Sequence, residues 1–288
     1  MQQQLADLLR LLELEQLEVN LSRGESRDIG APQVFGGQVL GQALSAAAAT
    51  VAGRVVHSLH AYFLRRGDCN APIVYEVDRS LDGHSFSNRR VVAIQHGQQI
   101  FTMAASFQIA ESGFEHQIVM PVVPAPEELA PSGSPPPALL ARVPERVRRF
   151  FEQPRPFEFR AVQPIDYLNP RRVAPAREIW FRAAGALPDD EMLHRRLLAY
   201  VSDFFLLDTS TLPHGTSLLK PTVVMASIDH ALWFHRPLRV DEWLLYAMDS
   251  PSASGARGFA RASVFARDGR LVASAAQEGL VRVRKDSQ

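Results

Sequence analysis

The sequence predicts an α+β protein built from two tandem units, each a central helix wrapped by an antiparallel sheet. Three observations carry this. An aromatic-basic strand, a turn and a long two-strand stretch occur twice in the same order. An apolar helix precedes each occurrence, and the strands that follow alternate small apolar residues with polar ones around hairpin glycines. In the first half "HSLHAYFLRRGD" (57–68) leads to "GHSFSNRRVVAIQHGQQIFTMAASFQ" (83–108); in the second "SIDHALWFHRPLRVD" (227–241) leads to "SASGARGFARASVFARDGRLVASAAQEG" (252–279). Phe63 precedes the hairpin glycine Gly97 by 34 residues, and Phe234 precedes Gly269 by 35.

The chain opens on "MQQQLADLLRLLELEQLEVNL", whose Leu5, Leu8, Leu9 and Leu12 fall at helical spacing among charges, an amphipathic packing helix rather than a signal peptide. "LEVNLSRGE" then supplies edge strand. The first central helix is read over 34–51, rich in Ala and Leu, and the second over 190–207, with Asp190 and Glu191 in its acidic first turn. "FEFRAVQPIDYL" and "AREIWFRAAGAL" begin the second unit as edge strands. On the last strand Leu271, Ala273, Ala275 and Gln277 are expected on one face. Residues 120–145 hold eight of the twenty prolines and read as an extended linker. The expected division is therefore 1–118 for the first unit, 119–150 for the linker and a connecting helix, and 151–288 for the second unit.

The 288 residues are 46% hydrophobic with 31 basic and 31 acidic side chains, so no global field favours nucleic acid and any anionic ligand must be met locally. Cys69 is the only cysteine, which excludes an intramolecular disulfide and a cysteine-rich metal site and fits a reducing compartment. No membrane span and no peroxisomal Ser-Lys-Leu ending is read, and the cytoplasm is the expected location. "GHSFS" (83–87) lacks the final glycine and the strand-turn-helix setting of a nucleophile elbow. His230 and His235 lie an odd number of residues apart on a strand, so they point to opposite faces and cannot share a metal. They are read as hydrogen-bonded structural imidazoles.

Three polar residues interrupt apolar patterns. Asp203 falls in "LLAYVSDFFLLD" where its helical neighbours are Ala199, Tyr200, Leu206 and Leu207; burying it costs several kcal/mol, on the order of ionic desolvation, unless partners are good. Such a carboxylate has a raised pKa and suits general-base work near neutral pH. Gln277 follows Ala273 and Ala275 on one strand face, and Ser227 is in phase with Val223 and Met225. An acid, a hydroxyl and an amide can hold one water.

"VFGGQVLGQALSAA", "HSLHAYFLRRGD", "DGHSFSNRRVVAIQ", "LLAYVSDFFLL", "SIDHALWFHRP", "DEWLLY" and "LVASAAQEGL" resemble, in order and spacing, the acyl-CoA thioesterase II (TesB-type) family. The resemblance implies a double hot-dog fold and hydrolysis of fatty acyl-CoA to free acid and coenzyme A, with no cofactor and no metal. It implies a water held by Asp203, Ser227 and Gln277, Ser227 standing where some relatives have Thr. The first unit, with Ser106 near the position of Gln277, is expected to be scaffold and substrate wall. Gly36 and Gly37, opening the first central helix, are candidate substrate-binding oxyanion donors. Arg65, Arg66, Arg89, Arg90, Arg171 and Arg172 are available for the coenzyme A phosphates. Hot-dog proteins pair through sheet edges, so the expected assembly is a homodimer or tetramer. The rival readings are a non-catalytic acyl-CoA or lipid-binding module, which needs no buried acid, and a hot-dog hydratase, which needs a histidine five residues beyond its Asp where this chain has Asp208.

Overall fold

The computed structural model describes residues 2–30, 33–132, 155–167, 169–217, 219–220 and 222–284, with positions 140, 141, 145, 148, 152 and 153 between them. In chain order the elements are α1 (Gln2–Leu12), β1 (Glu15–Glu18), β2 (Leu21–Gly24), α2 (Gly36–Ala48), β3 (Val55–Phe63), β4 (Ile73–Asp82), β5 (Phe86–Gln95) and β6 (Gln98–Gln108). The second half carries β7 (Phe157–Ala161), β8 (Ala176–Ala183), α3 (Glu191–Val201), a 3₁₀ helix (Leu207–His214), β9 (Val223–Ser227), β10 (Asp229–Phe234), β11 (Leu244–Ser254), β12 (Arg257–Ala266) and β13 (Leu271–Val283). No helix among the described residues is long and apolar enough to cross a membrane.

The strands join one antiparallel sheet in the order β1-β2-β4-β5-β6-β3-β10-β13-β12-β11-β8-β7, with β9 added on β13. The order reads the same from either end: β3 matches β10, β6 matches β13, β5 matches β12 and β4 matches β11. The sequence repeat thus becomes two half-sheets fused where β3 pairs β10, Leu59 opposite Leu232. α2 and α3 pack against each other inside the curved sheet. An ideal Cβ on Gly37 would lie 2.1 Å from Tyr200 O and one on Gly41 3.4 Å from Arg196 O, so the helices run antiparallel at a spacing that only glycine allows at Gly37. Leu40, Leu44, Leu197 and Leu198 are fully buried at this contact layer and its flanks.

Two local expectations are corrected. α3 does not run to Leu207: it starts on Asp190, whose carboxylate accepts from Met192 N (2.9 Å) and Leu193 N (3.1 Å), and ends at Val201. Asp203 therefore sits in the turn after the helix, not on its face. The turn is enforced by Phe205 at φ +66°, a left-handed conformation costly for an aromatic residue. Its ring is held by Phe159 at 5.1 Å and by the Arg177 guanidinium at 5.0 Å. On β13 the pairing shifts between Phe265↔Leu271 and Val264↔Ala273, which turns Leu271 to the outer face while Ala273, Ala275 and Gln277 stay inside.

Residues 109–132 are not a free tether. Met120, Val123 and Leu129 cover an outer-face cluster of Trp180, Trp243, Leu245 and Phe265. Trp180 Nε1 donates to Pro124 O (3.0 Å), and Gln117 bridges the β12–β13 hairpin through Gly269 O (2.8 Å) and Leu271 N (3.0 Å). Most of the arginine-rich stretch 141–155, including the expected connecting helix, lies outside the described residues. Arg160 and Arg182 stack on the Trp243 ring at 5.0 and 4.5 Å. Trp243→Ala is expected to cost about 3–5 kcal/mol by removing this plug, measurable as a lower urea midpoint at unchanged slope.

Candidate active site

α2 begins at Gly36, and the N–H groups of Gly36 and Gly37 have no partner within the helix, which gives that end a partial positive charge. The turn after α3 aims Asp203 at this end. Gly37 N donates to Asp203 Oδ2 at 3.0 Å, and an ideal Cβ on Gly36 would lie 2.6 Å from the same oxygen. The other carboxylate oxygen, Oδ1, accepts from Gln277 Nε2 at 2.6 Å and, more weakly, from Ser227 Oγ at 3.4 Å. Gln277 Nε2 also donates to Ser227 Oγ at 3.0 Å. β9 pairs with β13, Ser227 opposite Gly279, and this register puts Ser227 and Gln277 side by side.

Asp203, Ser227, Gln277, Gly36 and Gly37 are thus brought to one place. The Gly37 N–H is directed at the carboxylate, and Gly36 lines the cavity beside it. The other polar candidates lie elsewhere. Ser106 is not the counterpart of Gln277: it points outward to His57 Nε2 (2.8 Å), and the inward residue at that register is Ala105, opposite Leu59. Arg89 is 1% exposed and fixed by Asp82 (2.6 Å) and Thr50, a structural role rather than a phosphate site. Ser85 is bonded to Glu111, and Cys69 packs against the core.

No cation pairs with Asp203 among the described residues, and its remaining exposure opens on a cavity of about 810 Å³. The cavity is lined mainly by apolar groups, Phe63, Phe101, Phe157, Phe159, Phe204 and Phe205 among them, with the exposed Arg65 and Arg66 at its rim. Burial pushes the carboxyl up to about 6, while the three donors pull the other way and lose. The buried Tyr246 hydroxyl, pushed well up by burial and by the charge of Asp203, stays neutral and donates to Ser202 O at 2.7 Å. Gln277 Oε1 is buried with no donor among the described residues. The arrangement can hold a base poised near neutrality against an apolar ligand.

A family profile described as acyl-CoA thioesterase matches residues 147–280, and one described as the acyl-CoA thioesterase N-terminal domain matches residues 24–108. The chain is 42% identical to Acyl-CoA thioesterase 2 of Haemophilus influenzae over 96% of its own length and 98% of that protein. The chain belongs to the acyl-CoA thioesterase family. It is also 42% identical to human Acyl-coenzyme A thioesterase 8, covering 95% of this chain and 88% of that one. Among solved structures, acyl-CoA thioesterase II TesB2 of Mycobacterium marinum superposes with a TM-score of 0.78 at 40% identity, over 96% of this chain and 99% of the other. A hot-dog protein of Alicyclobacillus acidocaldarius, at 18% identity, shares the fold with a TM-score of 0.78 over 97% of this chain and 99% of its own. The double hot-dog architecture is that of the family.

Because the folded protein holds the Asp203 proton more tightly than the unfolded chain, it binds more protons between about pH 4 and 6, and stability attributable to this group falls as pH rises through that window. Relative to Asp203→Asn, the wild type is expected to lose on the order of 1–3 kcal/mol between about pH 4 and pH 7, most of it below pH 6, and nothing further above. Paired denaturant titrations across that range check it; a flat difference contradicts the raised pKa.

Proposed function

We propose that Asp203, Ser227 and Gln277 act on one water to hydrolyse the thioester of a fatty acyl-CoA. The observation that carries this is a half-buried carboxylate with no cation partner among the described residues, lining a mainly apolar cavity and tied to neutral donors from three elements. At neutral pH an acid of pKa about 6 is mostly ionised yet still basic enough to take a proton. Asp203 deprotonates the water as its oxygen attacks the thioester carbonyl carbon. Ser227 Oγ, at the cavity wall, orients the water, and the Gln277 amide behind it holds both Ser227 and Asp203 in place. The resulting oxyanion is stabilised by the positive N-terminus of α2, with the Gly36 N–H the candidate donor. Collapse breaks the C–S bond, the thiolate of coenzyme A takes the proton back from Asp203, and free acid and the basic carboxylate remain. No bond to the enzyme forms at any step.

The phenylalanine-lined cavity suits the acyl chain, and Arg65 and Arg66 at its rim suit the phosphates of coenzyme A. The division into units at 1–118 and 151–288 is supported by the two half-sheets, and Met120, Val123 and Leu129 of the linker cover the second. One active site per chain, a cytoplasmic location and assembly as a homodimer or tetramer complete the reading.

Asp203→Asn keeps the shape and removes the base, so thiol release from a panel of acyl-CoAs is expected to fall at least about a hundredfold in kcat. Wild-type kcat/KM should rise with pH to a plateau with a midpoint near 6, as the carboxyl ionises. Undiminished turnover in a folded Asp203→Asn variant refutes the assignment.

A further inference from the structure

We infer that His230 is a positioning residue for this hydrolysis: its imidazole clamps Ser202 and, through Ser202, sets the direction in which the neighbouring Asp203 carboxylate points. The inference rests on the reading of Asp203 as the base. His230 Nε2 lies 2.9 Å from Ser202 Oγ, and that hydroxyl lies 3.0 Å from Ala199 O. With the Ser202 hydroxyl donating to Ala199 O, its oxygen accepts from His230 Nε2–H, and Nδ1 is then the acceptor nitrogen, buried with no partner among the described residues. The Ser202 carbonyl is held in turn by Tyr246 OH at 2.7 Å. One residue is thereby gripped at its hydroxyl and at its carbonyl, immediately before Asp203 and at the point where α3 breaks.

The repeat supplies an internal control. Along the β10–β13 ladder Leu232 faces Ala275 and Ala231 faces Ala276, so the next positions are His230 and Gln277. Four residues before Phe63, as His230 is four before Phe234, stands Leu59, paired with Ala105. The same place in the fold is filled by an apolar pair in the unit without the base and by His230 with Gln277 in the unit that has it. A leucine therefore satisfies the packing there, and a histidine with an unmet acceptor carries a desolvation penalty that packing does not require. Burial alone holds the imidazole down at about 3, so it is neutral wherever the enzyme works and serves as a donor rather than an acid or base.

The test measures kcat and KM for thiol release by His230→Leu, Ser202→Ala and His230→Gln, each also combined with Asp203→Asn, with thermal melting of every variant. His230→Leu and Ser202→Ala are expected to lower kcat at least about tenfold with KM changed less than about twofold, since a misaimed base costs the transition state and not ground-state binding. His230→Gln, whose amide nitrogen reaches where Nε2 lies, is expected to restore most of the rate. In the Asp203→Asn background the same substitutions should leave the residual rate unchanged, a non-additivity that a general loss of packing does not produce. If His230→Leu does not fold, the smaller Ser202→Ala change carries the test. Wild-type kcat in both single variants while Asp203→Asn is inactive overturns this inference and leaves the base standing, as does an equal loss in both backgrounds. Full activity in Asp203→Asn overturns the proposed function and this inference with it.

Discussion

The structure turns on keeping one unpaired carboxylate out of bulk water and in one orientation. An ion the size of Asp203 would be costly to bury in an apolar core, and here the cost is offset by three neutral donors and a helix end rather than by a counter-ion. That requirement reaches far beyond the carboxylate. Gly36 must lack a Cβ because one would lie 2.6 Å from Oδ2, and Gly37 must lack one because α3 comes so close. Phe205 accepts a left-handed backbone so that the chain can turn away at Leu206 after delivering the acid. The strain is held by aromatic and guanidinium contacts on both sides of that ring.

The duplication of the hot-dog unit follows from the same requirement. The acid and two of its donors come from the second half, and the Gly37 N–H comes from the first. Neither half contains the whole set, so the antiparallel contact of α2 with α3 is a condition of the site and not merely of the core. The first unit is more than scaffold. Where the second unit has His230 and Gln277, the first has Leu59 and Ala105, which pack the sheet beside the β3–β10 seam. Asymmetry also marks the outer surface: the 109–132 segment seals the tryptophan cluster of the second half-sheet, while Tyr62 and Phe86 on the first remain exposed.

The two-unit plan is legible in the sequence because a repeat of strand, turn and hairpin depends on local patterning, and each copy reports the other. The polar intrusions at Asp203, Ser227 and Gln277 are legible for a related reason, since each breaks an apolar period. What local patterning does not reveal is how elements meet. The break in α3 carries neither glycine nor proline, only Ser202 and a strained Phe205, so the helical period runs on through Asp203 on paper. The same limit hid the engagement of Gly37 with the carboxylate, which depends on a contact 166 residues away along the chain. His230 was visible as an imidazole on a strand, but its partner Ser202 lies 28 residues earlier and on another element. The false parity of Leu271 and Gln277 came from a bulge, which shifts a period by one without a signature residue.

Two acids five residues apart, Asp208 buried and Asp203 half-buried, show how the fold separates structure from chemistry. Asp208 is joined to the buried Arg177 at 2.9 Å, with Tyr167 on the same guanidinium at 3.0 Å. The ion pair commits that carboxylate to holding the Arg177 guanidinium in place, which makes it a strut. Asp203 faces only neutral N–H and O–H groups, which orient the carboxylate but only partly repay its lost hydration, and it stays near 6. Exchanging the two environments would leave both acids bonded. The chain would retain its fold and lose the proton acceptor, because what distinguishes a base from a strut here is the missing positive charge.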